Sequence, residues 1–425
     1  MLAVFLIVLL GLIAISVPVA FSLILTALVL AMLMGGAQPA ELAQNLIRGV
    51  DNYPLMAVPF FLLAGEIMNA GGLSKRIVEF ARSILGHVTG GLGYVTVLAS
   101  MLFAGVSGSA VADTSAIGSI VYPVMKAEGY DPKKSTALFT AAGTIGPIIP
   151  PSIPLILYGV IGNVSIVALF LAGIVPGVMI GVALMVGWYF HARRMHYKKS
   201  GSFSFKGVGK ATVKAFWALL LPLIILGGIV GGIYTATEAA VIAVVYAFVI
   251  SVFVYKELKL SMIPQILLRA SKSTAVVLMV CGTATAAAFN ITTAQIPQML
   301  SNTLVSLAGN NWMLTMMWMN LLLLLVGCVM DLAPAILILA PMLIPIVVNV
   351  GLSPVYFGAI MTVNLCIGLI TPPVGNVLFT GCIVSKQSVG DIVRAIMPNV
   401  FIMTATLFFI TYLPGVVMFI PNLFK

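Results

Sequence analysis

Apolar runs of helical length fill most of the chain and are separated by short polar or charged segments. A transmembrane helix needs about 20 predominantly apolar residues, so a chain of 425 residues has room for about ten or more crossings. The runs are rich in Leu, Ala and Gly, and they lack the apolar/polar alternation over roughly ten residues that marks the strands of an outer-membrane barrel. The pattern therefore predicts an all-α polytopic membrane protein.

The runs form two sets on either side of a basic segment, which predicts a first domain at 1–190, a basic cytoplasmic linker at 191–214 and a second domain at 215–425. The first set predicts spans near 2–16, 18–36 and 54–72, an amphipathic helix from Leu73 to Leu85, a hairpin at about 88–125, a broken span at 135–163 and a closing span at 168–190. The second predicts spans at 216–234, 236–255 and 274–291, a hairpin at about 311–348, a broken span at 354–383 and a last span at 396–420. We name the two hairpins hairpin one and hairpin two.

The composition excludes several classes of protein. Hydrophobic residues make up 61% of the chain and charged residues only 8%, whereas soluble domains carry roughly 25% charged residues. A water-soluble enzyme and a disordered chain are therefore excluded. The four cysteines lie inside apolar runs without a Cys-x-x-Cys pair, so they predict neither a disulfide framework nor a metal site.

Glycines and prolines recur at a shift of 222 residues, which pairs Pro150-Pro151 with Pro372-Pro373 without a gap. The same shift pairs Gly105 with Gly327, Pro123 with Pro345, Gly129 with Gly351, Pro132 with Pro354, Gly146 with Gly368, Gly159 with Gly381 and Pro176 with Pro398. Because glycine and proline determine backbone shape, this shared spacing predicts two structural copies.

The basic residues predict how the copies are oriented. Every basic connection of one copy is neutral in the other: Lys386 and Arg394, for example, correspond to Val164 and Ala172. Since clustered Lys and Arg lie on the cytoplasmic side, the two halves are predicted to be inverted repeats, as in many secondary transporters. Both termini are then expected in the periplasm. This topological bias explains the net charge of +10, so no nucleic-acid partner is expected.

The Pro-Pro pairs interrupt two of the apolar runs. Each proline removes a backbone donor and frees a carbonyl about one turn earlier, and unpaired backbone is tolerated at membrane depth only where protein or a cavity satisfies it. Freed carbonyls with Ser and Thr hydroxyls suit Na⁺, and the N-terminus of a half-helix suits an anion. A structural kink is the alternative, but two symmetric breaks opposite two polar hairpin tips favour a binding site.

Few acidic residues lie in the predicted spans. Asp113 and Asp331 lie near the tips of the two hairpins, where a carboxylate is a functional candidate. An ion-linked role is our interpretation, and capping of backbone N–H groups is the alternative. Glu238 is expected to be a helix N-terminal carboxylate and Glu66 to be structural. No Lys or Arg is expected within any predicted span or hairpin.

Three motifs carry a resemblance to a known family. The string Ser107-Gly108-Ser109-Ala110-Val111-Ala112-Asp113-Thr114-Ser115, followed by Gly146-Pro147-Ile148-Ile149-Pro150-Pro151-Ser152, resembles the large membrane subunit of TRAP (tripartite ATP-independent periplasmic) transporters. Thr235-Ala236-Thr237-Glu238-Ala239-Ala240 is similar to its Thr-Pro-Thr-Glu-Ala signature and departs from it at Ala236. The motifs occur in the order typical of the family, and the resemblance covers essentially the whole chain.

The resemblance implies a bacterial inner-membrane protein with an elevator mechanism of the ion-transporter superfamily type, and not an enzyme. Its activity would be Na⁺-coupled symport of an organic anion, such as sialic acid or a C4-dicarboxylate. The implied partners are a small four-helix membrane subunit and a periplasmic substrate-binding protein. Na⁺ would be the coupling ion, with no other cofactor.

The resemblance also implies positions for the ligands. One Na⁺ would lie between the tip of hairpin one and the first break, at Ser107, Ser109, Asp113, Gly146, Ile149 and Pro151. A second would lie between hairpin two and the second break, at Gly327, Asp331, Gly368, Thr371 and Val374. Ser152 and Asn376, just after the two Pro-Pro pairs, would face the substrate.

Three alternative functions remain open at this point. A binding-protein-independent Na⁺/dicarboxylate symporter shares the architecture, and a passive anion channel would show flux without a Na⁺ requirement. An intramembrane aspartyl protease would use Asp113 and Asp331 as its carboxylate pair. The Gly-x-Gly-Asp pattern expected of such proteases is missing, because Asp331 follows Cys328-Val329-Met330.

Overall fold

The structure, a computed structural model, describes residues 1–35, 39–197, 199, 203–309 and 311–424. The described residues form α-helices joined by short connections. The helices of the first half are α1 (Leu2–Ala14), α2 (Val19–Leu33), α3 (Pro39–Val50), α4 (Ala57–Ala70), α5 (Leu73–Leu85), α6 (Gly91–Ser107), α7 (Ala110–Ala127), α8 (Pro132–Gly143), α9 (Ile153–Ile161) and α10 (Ile166–Met195). Those of the second half are α11 (Phe205–Val230), α12 (Ala236–Val249), α13 (Ile263–Thr293), α14 (Ile296–Ala308), α15 (Trp312–Gly327), α16 (Leu332–Asn349), α17 (Pro354–Gly368), α18 (Asn376–Ser385), α19 (Val389–Thr411), α20 (Pro414–Val417) and α21 (Phe419–Leu423).

Many of these helices are membrane-like in length and composition. In the described residues seven helical segments could cross a bilayer: Tyr53–Ala70, Ile166–Met195, Phe205–Val230, Ala236–Val254, Leu260–Thr293, Leu332–Asn349 and Val389–Thr411. Six further apolar helices are shorter. The prediction of an all-helical protein with many apolar helices is confirmed. Gly36, the last residue of the predicted span 18–36, lies outside the described residues, as do parts of the predicted linker.

Both predicted hairpins are pairs of helices. Hairpin one consists of α6 and α7, which are joined through Gly108 at a φ of 59°, a left-handed conformation that favours glycine. Hairpin two consists of α15 and α16. Both ends of α16 lie 222 residues after the ends of α7, so the spacing found in the sequence recurs in the helix boundaries.

Each predicted broken span is two helices separated by a non-helical segment. Residues 144–152 separate α8 from α9, and residues 369–375 separate α17 from α18. The Pro150-Pro151 and Pro372-Pro373 peptide bonds in these segments are both cis. The consecutive prolines cannot donate backbone hydrogen bonds, which is why neither helix continues through its break. We name residues 144–152 the first break and 369–375 the second break.

The structure corrects the expectation that no Lys or Arg lies within a span. The predicted span 274–291 is only part of α13, which begins at Ile263 and therefore contains Arg269 and Lys272. Arg and Lys are good helix formers, and Pro264 in the first turn favours a helix start. A charged residue thus ends the apolar run in the sequence without ending the helix.

Other boundaries also differ from those predicted. Helix α10 continues to Met195 and α11 begins at Phe205, so the segment expected to be the linker 191–214 is helical at both ends. Helix α3, from Pro39 to Val50, was not predicted, because its polar residues interrupt the apolar pattern. The predicted last span 396–420 is α19 followed by two short helices.

A buried polar network joins three helices of the second half. Asn364 Nδ2 of α17 donates to the Asn320 carbonyl oxygen of α15 at 3.0 Å and to Asn320 Oδ1 at 2.8 Å. Asn320 Nδ2 in turn donates to Thr411 Oγ1 of α19 at 3.1 Å. All three residues are fully buried. The network therefore holds α17 between α15 and α19.

Replacing Asn320 by leucine is expected to destabilise the protein, because it leaves the buried amide of Asn364 without its side-chain partner. Leaving a buried polar group unsatisfied costs about 1–3 kcal/mol, which will appear as a lower apparent melting temperature of the detergent-purified protein. The double variant Asn320→Leu/Asn364→Leu should recover part of that loss, since neither amide is then left unpaired. A double variant that loses the sum of the two single effects would contradict this explanation.

Candidate functional site

The tip of hairpin one brings three predicted ligands together. Ser107 Oγ donates a hydrogen bond to Asp113 Oδ1, and the backbone N–H of Ser109 donates to Ser107 Oγ at 3.2 Å. Ser109 Oγ accepts from the N–H of Ala112 at 3.4 Å and so caps α7. Ser107, Ser109 and Asp113 thus form one connected group at the start of α7.

The first break packs directly against this group. A Cβ on Gly146 would lie 2.8 Å from Asp113 Cγ, so only glycine lets the backbone approach the carboxylate this closely. Asp113 is fully buried, and its Oδ2 has no hydrogen-bond partner. The Oγ1 of the neighbouring buried Thr114 is also unpartnered. An ionised carboxylate in such a place is costly unless a cation or a proton compensates it.

The other predicted ligands of the first site lie on the same break. A Cβ on Gly108 at the hairpin tip would lie 2.9 Å from the carbonyl oxygen of Pro151, so tip and break are in contact. Ile149 forms part of the helical turn before the prolines, and its side chain packs against Gly177 of α10. Main-chain oxygens are therefore the groups that these two residues can offer an ion.

The two predicted substrate contacts occupy different environments. Ser152 is fully buried; its hydroxyl donates to the Pro147 carbonyl oxygen and accepts from the N–H of Leu155 at 3.3 Å, so it caps α9. Asn376 is exposed at the start of α18. Neither side chain lines the cavity described below, and their contact with substrate stays a prediction.

Hairpin two approaches the second break through two glycines. A Cβ on Gly368 would lie 2.6 Å from the carbonyl oxygen of Gly327, which requires glycine at this crossing of α15 and α17. The N–H of Val374 donates to the carbonyl oxygen of Cys328 at 3.1 Å. Thr371 Oγ1 donates to a carbonyl one turn earlier in α17, at 2.8 Å. Four of the five predicted ligands of the second site therefore lie at this junction.

Asp331, the fifth, differs from Asp113. It is exposed, and its Oδ1 accepts from the N–H of Leu332 at 2.9 Å, which makes it the N-cap of α16. The capping role that the sequence left open thus applies to Asp331, and the buried, unpartnered carboxylate to Asp113. Glu238 forms a capping box with Thr235 at the start of α12, as predicted.

A cavity of about 520 Å³ lies between the two hairpin tips. Hairpin one contributes residues 107–112, and hairpin two contributes Asp331 to Ala333. The start of α9 and the helices α4 and α13 form the remaining walls. The N-termini of α7, α9 and α16 thus meet at one cavity, and helix N-termini favour anions.

The structure adds charged residues that the sequence did not single out as ligands. Arg269 of α13 and Glu66 of α4 both line the cavity. Arg269 was assigned to a cytoplasmic connection, because its place in a helix wall depends on how α13 packs. Thr114 was quoted only as part of a motif, although its Ser/Thr/Asp-rich neighbourhood was the available signal.

Residues 6–416 match the model of the family described as the tripartite ATP-independent periplasmic transporter, DctM component. The 2,3-diketo-L-gulonate TRAP transporter large permease protein YiaN of Escherichia coli is 42% identical, over 96% of both chains. The C4-dicarboxylate permease DctM of Pseudomonas aeruginosa is 40% identical, over 90% of this chain and 89% of that one. The sialic acid permease SiaM of Vibrio cholerae is 39% identical, over 98% and 97%.

A solved structure is similar in fold. The YdaH transporter of Alcanivorax borkumensis matches with a TM-score of 0.63 and 15% identity, over 88% of this chain and 86% of that one. The sequence relatives are named as permeases and not as enzymes, so the protease alternative is rejected. The chain belongs to the family of large permease subunits, the DctM components, of tripartite ATP-independent periplasmic transporters.

Proposed function

We propose that this permease carries an organic anion across the bacterial inner membrane together with Na⁺. The observation that carries the proposal is the Asp113 carboxylate, which is fully buried with an unpartnered Oδ2 where hairpin one meets the first break. Na⁺ would compensate its charge, with Ser107, Ser109 and main-chain oxygens of the break as further ligands. Hard oxygen ligands of this kind suit Na⁺.

A second Na⁺ would lie at the junction of hairpin two and the second break. The close approach of Gly327 and Gly368 supports this, because it brings carbonyl groups of α15 to the end of α17. Thr371 and Val374 would supply oxygens from the break, and Asp331 would act from the rim of the cavity. An inward-moving charge gains about 2.3 kcal/mol per 100 mV of membrane potential, which can drive accumulation of the anion.

The relatives support an organic acid as the substrate class. They are named for 2,3-diketo-L-gulonate, C4-dicarboxylates and sialic acid. The convergence of three helix N-termini on the 520 Å³ cavity supports the same class, since these N-termini attract negative charge. Ser152 and Asn376 would reach the substrate in another arrangement of the tips.

The transport cycle would be of the elevator type, with two inverted repeats that move the hairpins and breaks relative to α4 and α13. The equal spacing of α7 and α16 from their repeat partners supports this symmetry. Membership of a tripartite family implies a small membrane subunit and a periplasmic binding protein as partners. The inverted arrangement would put both termini in the periplasm.

The proposal is tested by uptake into proteoliposomes that hold the chain with its small subunit. Radiolabelled sialic acid and succinate are supplied under an inward Na⁺ gradient or with K⁺ instead, each with and without the binding protein. We expect uptake to require both Na⁺ and the binding protein. Uptake that ignores Na⁺ would favour a passive channel, and Na⁺-driven uptake without the binding protein would favour an independent symporter.

A further inference from the structure

The cavity between the hairpin tips contains charges of both signs. Arg269 of α13 is positive, whereas Glu66 of α4 and Asp331 of hairpin two are negative. Among the described residues no ion pair within 4.0 Å involves Arg269, although Arg269 is near enough to Glu66 to interact with it electrostatically. The guanidinium group therefore lines the cavity with its bidentate donor face uncommitted.

We propose that the substrate is a hydroxylated monocarboxylate of the sugar-acid kind, with its single carboxylate on Arg269 and its hydroxyl groups on Glu66 and Asp331. The inference rests on the proposed function, because it takes the cavity as the substrate site. A guanidinium group is the side chain best matched to a carboxylate, through two parallel charge-assisted hydrogen bonds.

The negative side chains discriminate against a second carboxylate. Glu66 and Asp331 are acceptors when ionised, so they accept hydrogen bonds from substrate hydroxyls. A dicarboxylate would instead place its second carboxylate near one of these like charges, and like charges in a partly desolvated cavity repel. The cavity contains one guanidinium for two carboxylates, which favours one anionic group per substrate.

The remaining polar lining and the volume agree with this class. Asn69, Ser115 and Ser273 add neutral donors and acceptors to the walls, and these suit hydroxyl groups. The volume of about 520 Å³ falls within the range of roughly 300–1,000 Å³ that is usual for small-molecule sites. A polyhydroxylated chain can therefore reach from Arg269 to the opposing carboxylates.

The test is direct binding to the full chain, purified with its small subunit and placed in nanodiscs without the binding protein. The probes are D-gluconate, its neutral counterpart D-glucitol, succinate and butyrate, and dissociation constants are measured by calorimetry in Na⁺ and in K⁺. In Na⁺ we expect D-gluconate to bind at least about 10-fold more tightly than succinate or butyrate, the scale of one charge-assisted hydrogen bond. D-Glucitol should not bind, since it lacks the carboxylate.

Two sets of variants separate the roles of the charges. Arg269→Gln should weaken D-gluconate binding by about 10- to 100-fold, and Arg269→Lys should restore part of it, because lysine keeps the charge and loses the bidentate fork. Glu66→Gln/Asp331→Asn should weaken D-gluconate and strengthen succinate, and so lower the ratio between them. Gel filtration of each variant checks that it remains folded.

The outcomes distinguish this inference from the proposed function. Succinate binding as tightly as D-gluconate, no binding by D-gluconate, or an unchanged affinity in a folded Arg269→Gln variant would each overturn the sugar-acid assignment. Na⁺-dependent binding of succinate would still leave the proposed symport standing. Equal binding of every probe in Na⁺ and K⁺ would instead count against Na⁺ coupling, whichever acid binds best.

Discussion

Asp113→Asn is expected to abolish Na⁺-driven uptake while leaving the protein folded. Asparagine has nearly the same shape, and its side-chain oxygen can still accept the hydrogen bond from Ser107. It removes the negative charge that is buried without a partner at Oδ2, and with it the main attraction for a cation. Removing one member of a buried charge pair costs about 3 kcal/mol or more, which is roughly 100-fold in Na⁺ affinity.

The measurement is the initial rate of uptake as a function of Na⁺ concentration in proteoliposomes, together with the apparent melting temperature. Asp51→Asn is the matched control, because Asp51 is exposed between α3 and α4. We expect the control to behave as wild type, and Asp113→Asn to melt no earlier than wild type, since a buried charge has been removed. Wild-type Na⁺ dependence in Asp113→Asn would mean that the carboxylate is a neutral structural group and would remove the main support for the first Na⁺ site.

Features that depend on glycine and proline could be predicted from the sequence. Hairpin one was predicted at 88–125 with its turn at Ser107 to Ser109, and the structure has helices that meet at Gly108. Both breaks were predicted from their Pro-Pro pairs. These residues constrain the backbone wherever they lie, so no knowledge of packing was needed.

The distinction between the two aspartates was partly visible in the sequence. Under the shift of 222 residues Asp331 corresponds to Ser109, and the structure makes both residues N-caps, of α16 and α7. Asp113 corresponds to Ala335 and has no acidic counterpart. The repeat therefore already indicated that the two carboxylates differ, although treating them as a symmetric pair concealed it.

Arg269 could not be assigned from the sequence, because its position depends on tertiary packing. The basic cluster around it was typical of a cytoplasmic connection under the positive-inside rule. Only the continuity of α13, together with the approach of α4 and both hairpin tips, places this side chain at a cavity. Local patterns report which segments are apolar, whereas a cavity is formed by segments far apart in the chain.

Gly368→Ala is expected to disrupt the second site more severely than Gly327→Ala, although both place one methyl group at the same helix crossing. The new Cβ at 368 would lie 2.6 Å from the carbonyl oxygen of Gly327, which is backbone and cannot rotate away. The Cβ at 327 would meet its nearest atom, Gly368 Cα, at 3.3 Å, a separation that a shift of a few tenths of an ångström relieves. Overpacking of a tight core costs about 1–3 kcal/mol, so we expect the full penalty only at 368.

The apparent melting temperature and the Na⁺ dependence of uptake measure the two consequences separately. Gly390→Ala in α19 is the matched control, because nothing lies within 4 Å of its added Cβ, and it should behave as wild type. Because relief of the clash at 368 must move α15 away from α17, Gly368→Ala should lose Na⁺-driven uptake even where enough folded protein is recovered. Equal behaviour of the two glycine variants would show that the crossing adjusts freely, and a junction that loose could not hold carbonyl groups in the geometry that a second Na⁺ requires.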